Sequence, residues 1–231
     1  MAEARASHLR LVVNEPTPVT VRQPRLRFRP VVRLRDGAPF GMHADADIAF
    51  EDTFQPRHLT DAAHPSAAGW LGDLIERSAR LAHDTGTLRP VSVTAPLAAL
   101  SDQDAPMAAE AGVRRSNLLP QEVRIDFSDA SIVALEDLAL DRLDAFRRRG
   151  FRIGLDARKT WRTPMGARAR MTFEAIRLDP SRCEVLEVPM TRLEVAAADG
   201  VALIAENVRW RDAEKLAEAG IHFAMAPRAD S

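Results

Sequence analysis

Residues 122–156 read EVRIDFSDASIVALEDLALDRLDAFRRRGFRIGLD, and their order of patterns decides the fold. EVRIDF (122–127) and FRIGLD (151–156) are short apolar runs with the length and β-branched content of buried strands. Between them, 134–149 carries Leu135, Leu138, Leu143 and Phe146 at helical spacing, and Gly150 stops that helix at its C-terminal end. Strand, helix and strand joined by short turns is the pattern of a parallel sheet covered by helices.

The same pattern extends outward. Further strands are expected at 27–34, 42–50, 90–95, 173–179, 201–206 and 222–226. Helices are expected at 66–83, with Trp70, Leu71, Leu74, Ile75, Leu81 and Ala82 on one side, and at 209–219, with Trp210, Ala213, Leu216 and Ala217. Eight strands in a chain of 231 residues favour a closed α/β barrel, a (β/α)8 TIM-like barrel in one domain over 26–231. Residues 1–25 carry Pro16, Pro18 and Pro24 and read as an extended N-terminal arm.

Composition narrows the function classes. Hydrophobic residues at 46% and charged residues at 28% are those of a globular protein, and a net charge of −1 gives no global pull toward nucleic acid or an anionic membrane. Cys183 is the only cysteine, so neither an intrachain disulfide nor a cysteine-based zinc cluster can form. No apolar run reaches the roughly 20 residues of a membrane span, and the first residues lack the apolar core of a secretory signal. A cytoplasmic location is expected.

In a (β/α)8 barrel, chemistry sits where strands end. Those positions hold His43, Thr94, Asp126, Asp129, Asp156, Arg177, Asp179, Glu206 and Asn207. There the chain resembles the EAL domain family, bacterial phosphodiesterases that hydrolyse cyclic di-GMP. RFRPVVRLRDG resembles that family's opening strand and turn, and LPQEVRIDFSDASI its Leu-Glu-Ile-Thr-Glu strand. FRIGLDARKTW resembles its Ile-Ala-Leu-Asp-Asp-Phe-Gly segment, and FEAIRLDPS its Leu-Lys-Ile-Asp strand. VALIAENVRWRDAEKLAEAGIHFAMAP resembles Val-Ala-Glu-Gly-Val-Glu with the final helix and strand. The resemblance runs from about residue 27 to 228.

It implies a ring of carboxylates and an amide that holds two divalent metals, plus a lysine near the attacking water. Position by position, that set is depleted. The signature Glu falls on His43, the phosphate-holding Arg on Asp47, and the metal-binding Asn on Thr94. The fourth-strand Glu falls on Asp126. Of the paired Asp residues, the first is Asp156 and the second falls on Ala157. The catalytic Lys falls on Arg177, which does not deprotonate. Glu206 is retained, the later Glu of its motif falls on Arg209, and the phosphate-contacting Gln falls on Met225. Asp129 and Asp179 complete this set of vestigial positions.

The expectation is a catalytically inactive EAL-like regulatory protein that binds a protein partner, with no catalytic residue, metal or other cofactor. A non-hydrolysing cyclic di-GMP receptor is the second reading and a residual phosphodiesterase the third. Nucleic acid and membrane insertion are not expected, and a homodimer stays open, because the segment between Asp179 and Glu206 is shorter than the family's. Individual residues have structural alternatives. Asp156 can accept backbone N–H bonds or pair with Arg158 or Lys159, Asp129 and Ser131 can be helix caps, and His43 can be a ligand with Asp126 and Glu206 or a hydrogen-bonded core residue. The alternating arginines of RFRPVVRLR suit a barrel-end anion site or a protected strand edge. The basic run at 142–152 reads as a solvated helix face. Trp70, Trp161 and Trp210 read most simply as core or helix-packing residues, and Trp161, in the loop after the fifth strand, is the one of the three best placed for exposure to a partner.

Overall fold

A computed structural model describes residues 25–47, 66–183 and 190–225. Within them, eight strands close into one barrel in chain order. They are β1 (Leu26–Arg33), β2 (Pro39–Ala46), β3 (Val91–Thr94), β4 (Val123–Ser128), β5 (Arg152–Asp156), β6 (Ala175–Leu178), β7 (Ala202–Ala205) and β8 (Phe223–Met225). The helices described are α1 (Ala67–Asp84), α2 (Leu97–Ser101), α3 (Ala105–Arg114), α4 (Asp129–Arg148), α5 (Ala167–Thr172), α6 (Pro180–Cys183), α7 (Met190–Ala198) and α8 (Ala213–Glu218). The α/β barrel expected from the pattern is present. The arm over 1–25, except Arg25, and the last residues of the strand expected at 42–50 lie outside the described residues.

One strand departs from an all-parallel barrel. β2 to β8 run parallel to one another, whereas β1 is antiparallel to both β2 and β8. The reason is local. A parallel crossover needs a dozen or more residues, and only a tight turn separates β1 from β2. In that turn Gly37 takes φ 68, its N–H bonds to the Arg33 carbonyl at 2.8 Å, and the Arg33 N–H bonds back to Ala38 at 2.8 Å. The N-terminal half of β1 therefore lies beside the C-terminal half of β2, with Arg29 opposite His43.

The main apolar core is a sleeve between the strands and the helices. Alternate residues face it: Val91 and Val93 from β3, Ile125 and Phe127 from β4, Ile153 and Leu155 from β5, Ile176 and Leu178 from β6. Phe146 of α4 closes on this layer, its ring centroid 5.3 Å from Phe127 and 6.2 Å from Phe151. Inside the barrel the apolar contribution is small. Val31, Ala175, Ile204 and Met225 form a separate cluster there, with Phe40 and Phe223 against it.

Several helical expectations are corrected. α4 starts at Asp129, five residues before the expected start, and Glu136 breaks it with φ 47 and ψ −124. Because of that break the stripe is not continuous: Ile132, Ala139, Leu143 and Phe146 are buried, while Leu138 is exposed. The cap of α4 is Ser128, whose Oγ accepts from the Ser131 N–H at 3.1 Å, so neither Asp129 nor Ser131 caps it. The helix expected at 209–219 is a 3-10 turn at 210–212 followed by α8; Leu216 is buried and Trp210 is exposed. Trp161 is buried, and its carbonyl accepts from Arg192 Nη1 at 2.5 Å. Trp161 thus packs in the core, as its simplest reading expects and without the exposure to a partner considered for it, whereas the expected packing of Trp210 is overturned.

Candidate functional site: a charged barrel interior

TIM-like barrels usually fill their interior with Val, Ile and Leu. Here the inward positions toward the C-terminal end of β2–β8, the mouth, carry charge. Paired residues in a sheet face the same side, so the register places His43 with Ser92, Thr94 with Asp126, and Asp156 with Arg177. Arg29 joins them because β1 is reversed.

Arg177 is the centre. Its side chain is 1% exposed, and its guanidinium bonds to four neighbours. Nε donates to Glu206 Oε1 at 2.9 Å and Nη2 to the same oxygen. Nη1 reaches Thr94 Oγ1 at 3.1 Å, His43 Nε2 at 3.2 Å and Asp126 Oδ2 at 3.3 Å. Asp126 is also held by Arg124 Nε at 2.8 Å. Glu206 Oε2 accepts from Arg158 Nη1 at 3.1 Å and lies 3.7 Å from Arg29 Nη2. Arg29 pairs with Asp45, and Arg158 grips Asp156 with Nε at 2.7 Å and Nη2 at 2.5 Å. Four guanidiniums (Arg29, Arg124, Arg158, Arg177) thus face four carboxylates (Asp45, Asp126, Asp156, Glu206), a set whose formal charges cancel.

The environment sets the protonation states. Burial, reinforced by Arg177, Arg29, Arg124 and Arg158, holds the His43 imidazole well below its ordinary value, so the ring is neutral at pH 7. Its tautomer follows from its partners. Nε2 faces an Arg177 N–H and must accept, so Nδ1 carries the proton and donates to Ser92 Oγ at 2.8 Å. Ser92 Oγ in turn donates to the Met42 carbonyl at 3.3 Å. Burial pushes the Asp156 carboxyl up, but hydrogen bonds from Arg158 and the charges of Arg177 and Arg158 outweigh it and hold it below the usual carboxylate range. Burial opposes the charge on Arg177 too, and Glu206 and Asp126 outweigh it, raising its affinity for the proton.

Space at the centre is reserved by Gly154 of β5. A Cβ there would meet Asp126 Oδ1 at 2.0 Å and Arg124 Nε at 3.2 Å. The missing side chain is what lets this pair lie across the barrel.

The expected site residues therefore divide. His43, Thr94, Asp126, Asp156, Arg177 and Glu206 converge. Asp129 and Asp179 line the mouth but are spent on backbone and side-chain donors of the neighbouring loops. Asp129 accepts from the N–H groups of Arg162 and Thr163 and both threonine hydroxyls of 160 and 163 at 2.6–2.8 Å, which ties down the loop after β5. Asp179 accepts from Ser181 and Asn207. The others do not join. Asp47 accepts from the Arg25 N–H at 2.6 Å, Ala157 packs in the outer core, Arg209 is exposed, and Met225 belongs to the apolar plug. Sequence reading missed Asp45 and Arg124, and offered Arg29 only as one of the alternating arginines of the first strand. The signal was available: His43 and Asp45, and Arg124 and Asp126, stand at i and i+2, hence on one face of a strand.

A two-metal centre of the kind the resemblance implies does not fit these residues. Asp45, Asp126, Asp156 and Glu206 are each already bonded to a guanidinium, and the His43 imidazole donates to serine and accepts from Arg177. Among the described residues no group of three or more His, Cys, Asp or Glu side chains is arranged to hold a metal ion. A unit positive charge ~4 Å from another is repelled by about 4 kcal/mol at an effective dielectric of ~20. A divalent ion entering here would meet twice that from each adjacent guanidinium, and the carboxylates that would offset it are already neutralised by those guanidiniums. Above the network lies an open cleft of about 810 Å3, with Lys159 and Arg182 among its lining residues.

No family model matches the sequence, and no curated protein matches it. Solved structures do. The phosphodiesterase PaMucR in its c-di-GMP complex superposes with a TM-score of 0.67 at 17% identity, over 88% of this chain and 89% of that one. The EAL enzyme Bd1971, in a form with cAMP and cyclic-di-GMP bound, gives 0.61 at 17% identity over 88% and 60%. The chain has the fold of an EAL domain. Klebsiella pneumoniae BlrP1 in a manganese and cy-diGMP complex gives 0.66 at 14% over 92% and 56%, so this chain spans little more than half of BlrP1 and three-fifths of Bd1971. Among the described residues no helix is long and apolar enough to cross a membrane.

Proposed function

We propose that this chain is a non-hydrolysing relative of the EAL phosphodiesterases, a regulatory protein that acts by binding a protein partner in cyclic di-GMP-linked signalling. One observation carries the first half. The guanidinium of Arg177 is bonded to Glu206 and Asp126 at the point where carboxylates would otherwise be free for metal. Phosphodiester hydrolysis at neutral pH needs an activated water and a base. Arginine supplies neither, since it stays protonated, and the neutral His43 has both ring nitrogens in use. Asp156 is held by Arg158 for structure. What remains is a rigid scaffold with a self-neutralised interior, which suits recognition at its surface.

A second reading, a cyclic di-GMP receptor without turnover, is favoured by the 810 Å3 cleft with Lys159 and Arg182 in its lining. Calorimetric titration with cyclic di-GMP, with and without magnesium, followed by a product assay, separates the two. The leading reading expects neither heat nor linear product. Saturable heat without product establishes the receptor, and turnover abolished by Glu206→Ala overturns both.

A further inference from the structure

We propose that the end of the barrel remote from the mouth is a docking surface for a protein that presents an acidic segment with apolar residues beside it. This rests on the partner-binding reading above and names the surface and the chemistry of the partner.

Parallel strands and returning helices bring the C-terminal ends of α1, α3 and α4 and the starts of β3, β4 and β5 to this end. Arginines concentrate there, and some of them share a carboxylate. Glu76 takes Arg80 at 2.5 Å and Arg115 at 2.6 Å, and Glu110 takes Arg114 at 2.6 Å and also Arg149. Two carboxylates thus hold four guanidiniums. The exposures are unequal: the Glu76 and Glu110 side chains are each 18% exposed, against 57% for Arg80 and 76% for Arg114. Solvent meets the cations, and each guanidinium keeps N–H edges able to take a further carboxylate in a forked geometry.

The neighbouring sector adds apolar anchors. Arg89 pairs with Glu122, whose other oxygen accepts from the Leu119 N–H at 2.8 Å. Leu119 is 56% exposed, and Leu88, beside Arg89, is 41% exposed. Both leucines precede the paired strands β3 and β4, so they flank the Arg89–Glu122 pair. This mixture selects the class of partner. A nucleic-acid duplex is held chiefly through its phosphates by cations without acidic partners, whereas paired arginines beside exposed leucines are the make-up of a protein interface and its rim.

The test uses the full chain in the cells that make it, with Leu119→p-benzoylphenylalanine at the proposed surface and Lys159→p-benzoylphenylalanine at the mouth. Light is expected to give a protein adduct at position 119 whose mapped peptide is acidic. Arg89→Glu with Arg114→Glu is expected to cut its yield about tenfold. Should that variant lose its native melting transition, the neutral pair Arg89→Gln and Arg114→Gln replaces it, with the same expectation of loss. Adducts at 159 alone overturn this surface and leave the partner-binding reading intact. Nucleic acid or lipid adducts at 119 overturn the protein class, and adducts at neither position overturn both.

Discussion

Two sets of arginine–carboxylate pairs occupy opposite ends of this barrel, and the same chemistry means different things in each. At the mouth, Arg177, Arg124, Asp126 and Glu206 are almost wholly removed from solvent. There every hydrogen bond is obligatory, because a charge left without its partner has no water to turn to. At the far end, Arg80, Arg114, Glu76 and Glu110 form pairs of similar length on a wet surface, where screening and side-chain entropy cancel most of the attraction. Burial, more than distance, separates a network that fixes the interior from one that leaves its arginines available to a partner.

The comparison can be broken by substitution. Arg177→Met keeps the bulk and removes the charge, stranding Glu206 and Asp126; urea denaturation is expected to show a loss of about 3–5 kcal/mol. A loss below 1 kcal/mol would mean that water reaches the network. Gly154→Ala drives a methyl group against Asp126 and is expected to cost about 1–3 kcal/mol by the same assay, through overpacking. An unchanged midpoint would show that the Arg124–Asp126 pair has room to shift.

Acidity sharpens it further. His43 is neutral in the fold, with its affinity for protons far below the ordinary value of 6.5 that it regains on unfolding. Below that pH the unfolded chain takes up a proton that the folded chain does not. Stability should therefore fall with decreasing pH, by about 1.4 kcal/mol per unit from this residue alone, until the folded ring also protonates. Denaturation at pH 7, 6 and 5 should show that slope flattened in His43→Gln. Asp156 adds its own loss at lower pH: its folded value is depressed, so its contribution is present above the unfolded value and disappears as pH falls through the folded one. The smallest effect is expected at the far end, where Arg114→Met should change stability by no more than about 0.5 kcal/mol. A larger change there would undo the contrast.

Much of this was legible in the sequence for a definite reason. β4 and β5 carry outward-facing Ile125, Phe127, Ile153 and Leu155, a signal that any parallel strand covered by helices must show. The convergence of His43, Asp126, Asp156, Arg177 and Glu206 followed from strand-end positions and from the EAL resemblance. What those residues do with one another did not. Whether Asp156 meets a metal or Arg158 depends on rotamers and on a loop, and whether Arg29 reaches the mouth depends on the direction of β1. That direction was in principle readable from the short turn at Gly37. The exposure of Trp210 was hidden because the helical stripe does not announce the 3-10 turn at 210–212, and Glu136 interrupts α4 without a glycine or proline to announce it.

On the proposed reading, Arg177 stands in for the cation of a metal site. Titration of the wild-type protein with manganese, followed by the loss of the free-ion resonance, tests this most directly. The prediction is no saturable binding at millimolar manganese. One ion bound per chain in the wild type, and lost in Glu206→Gln, would contradict it.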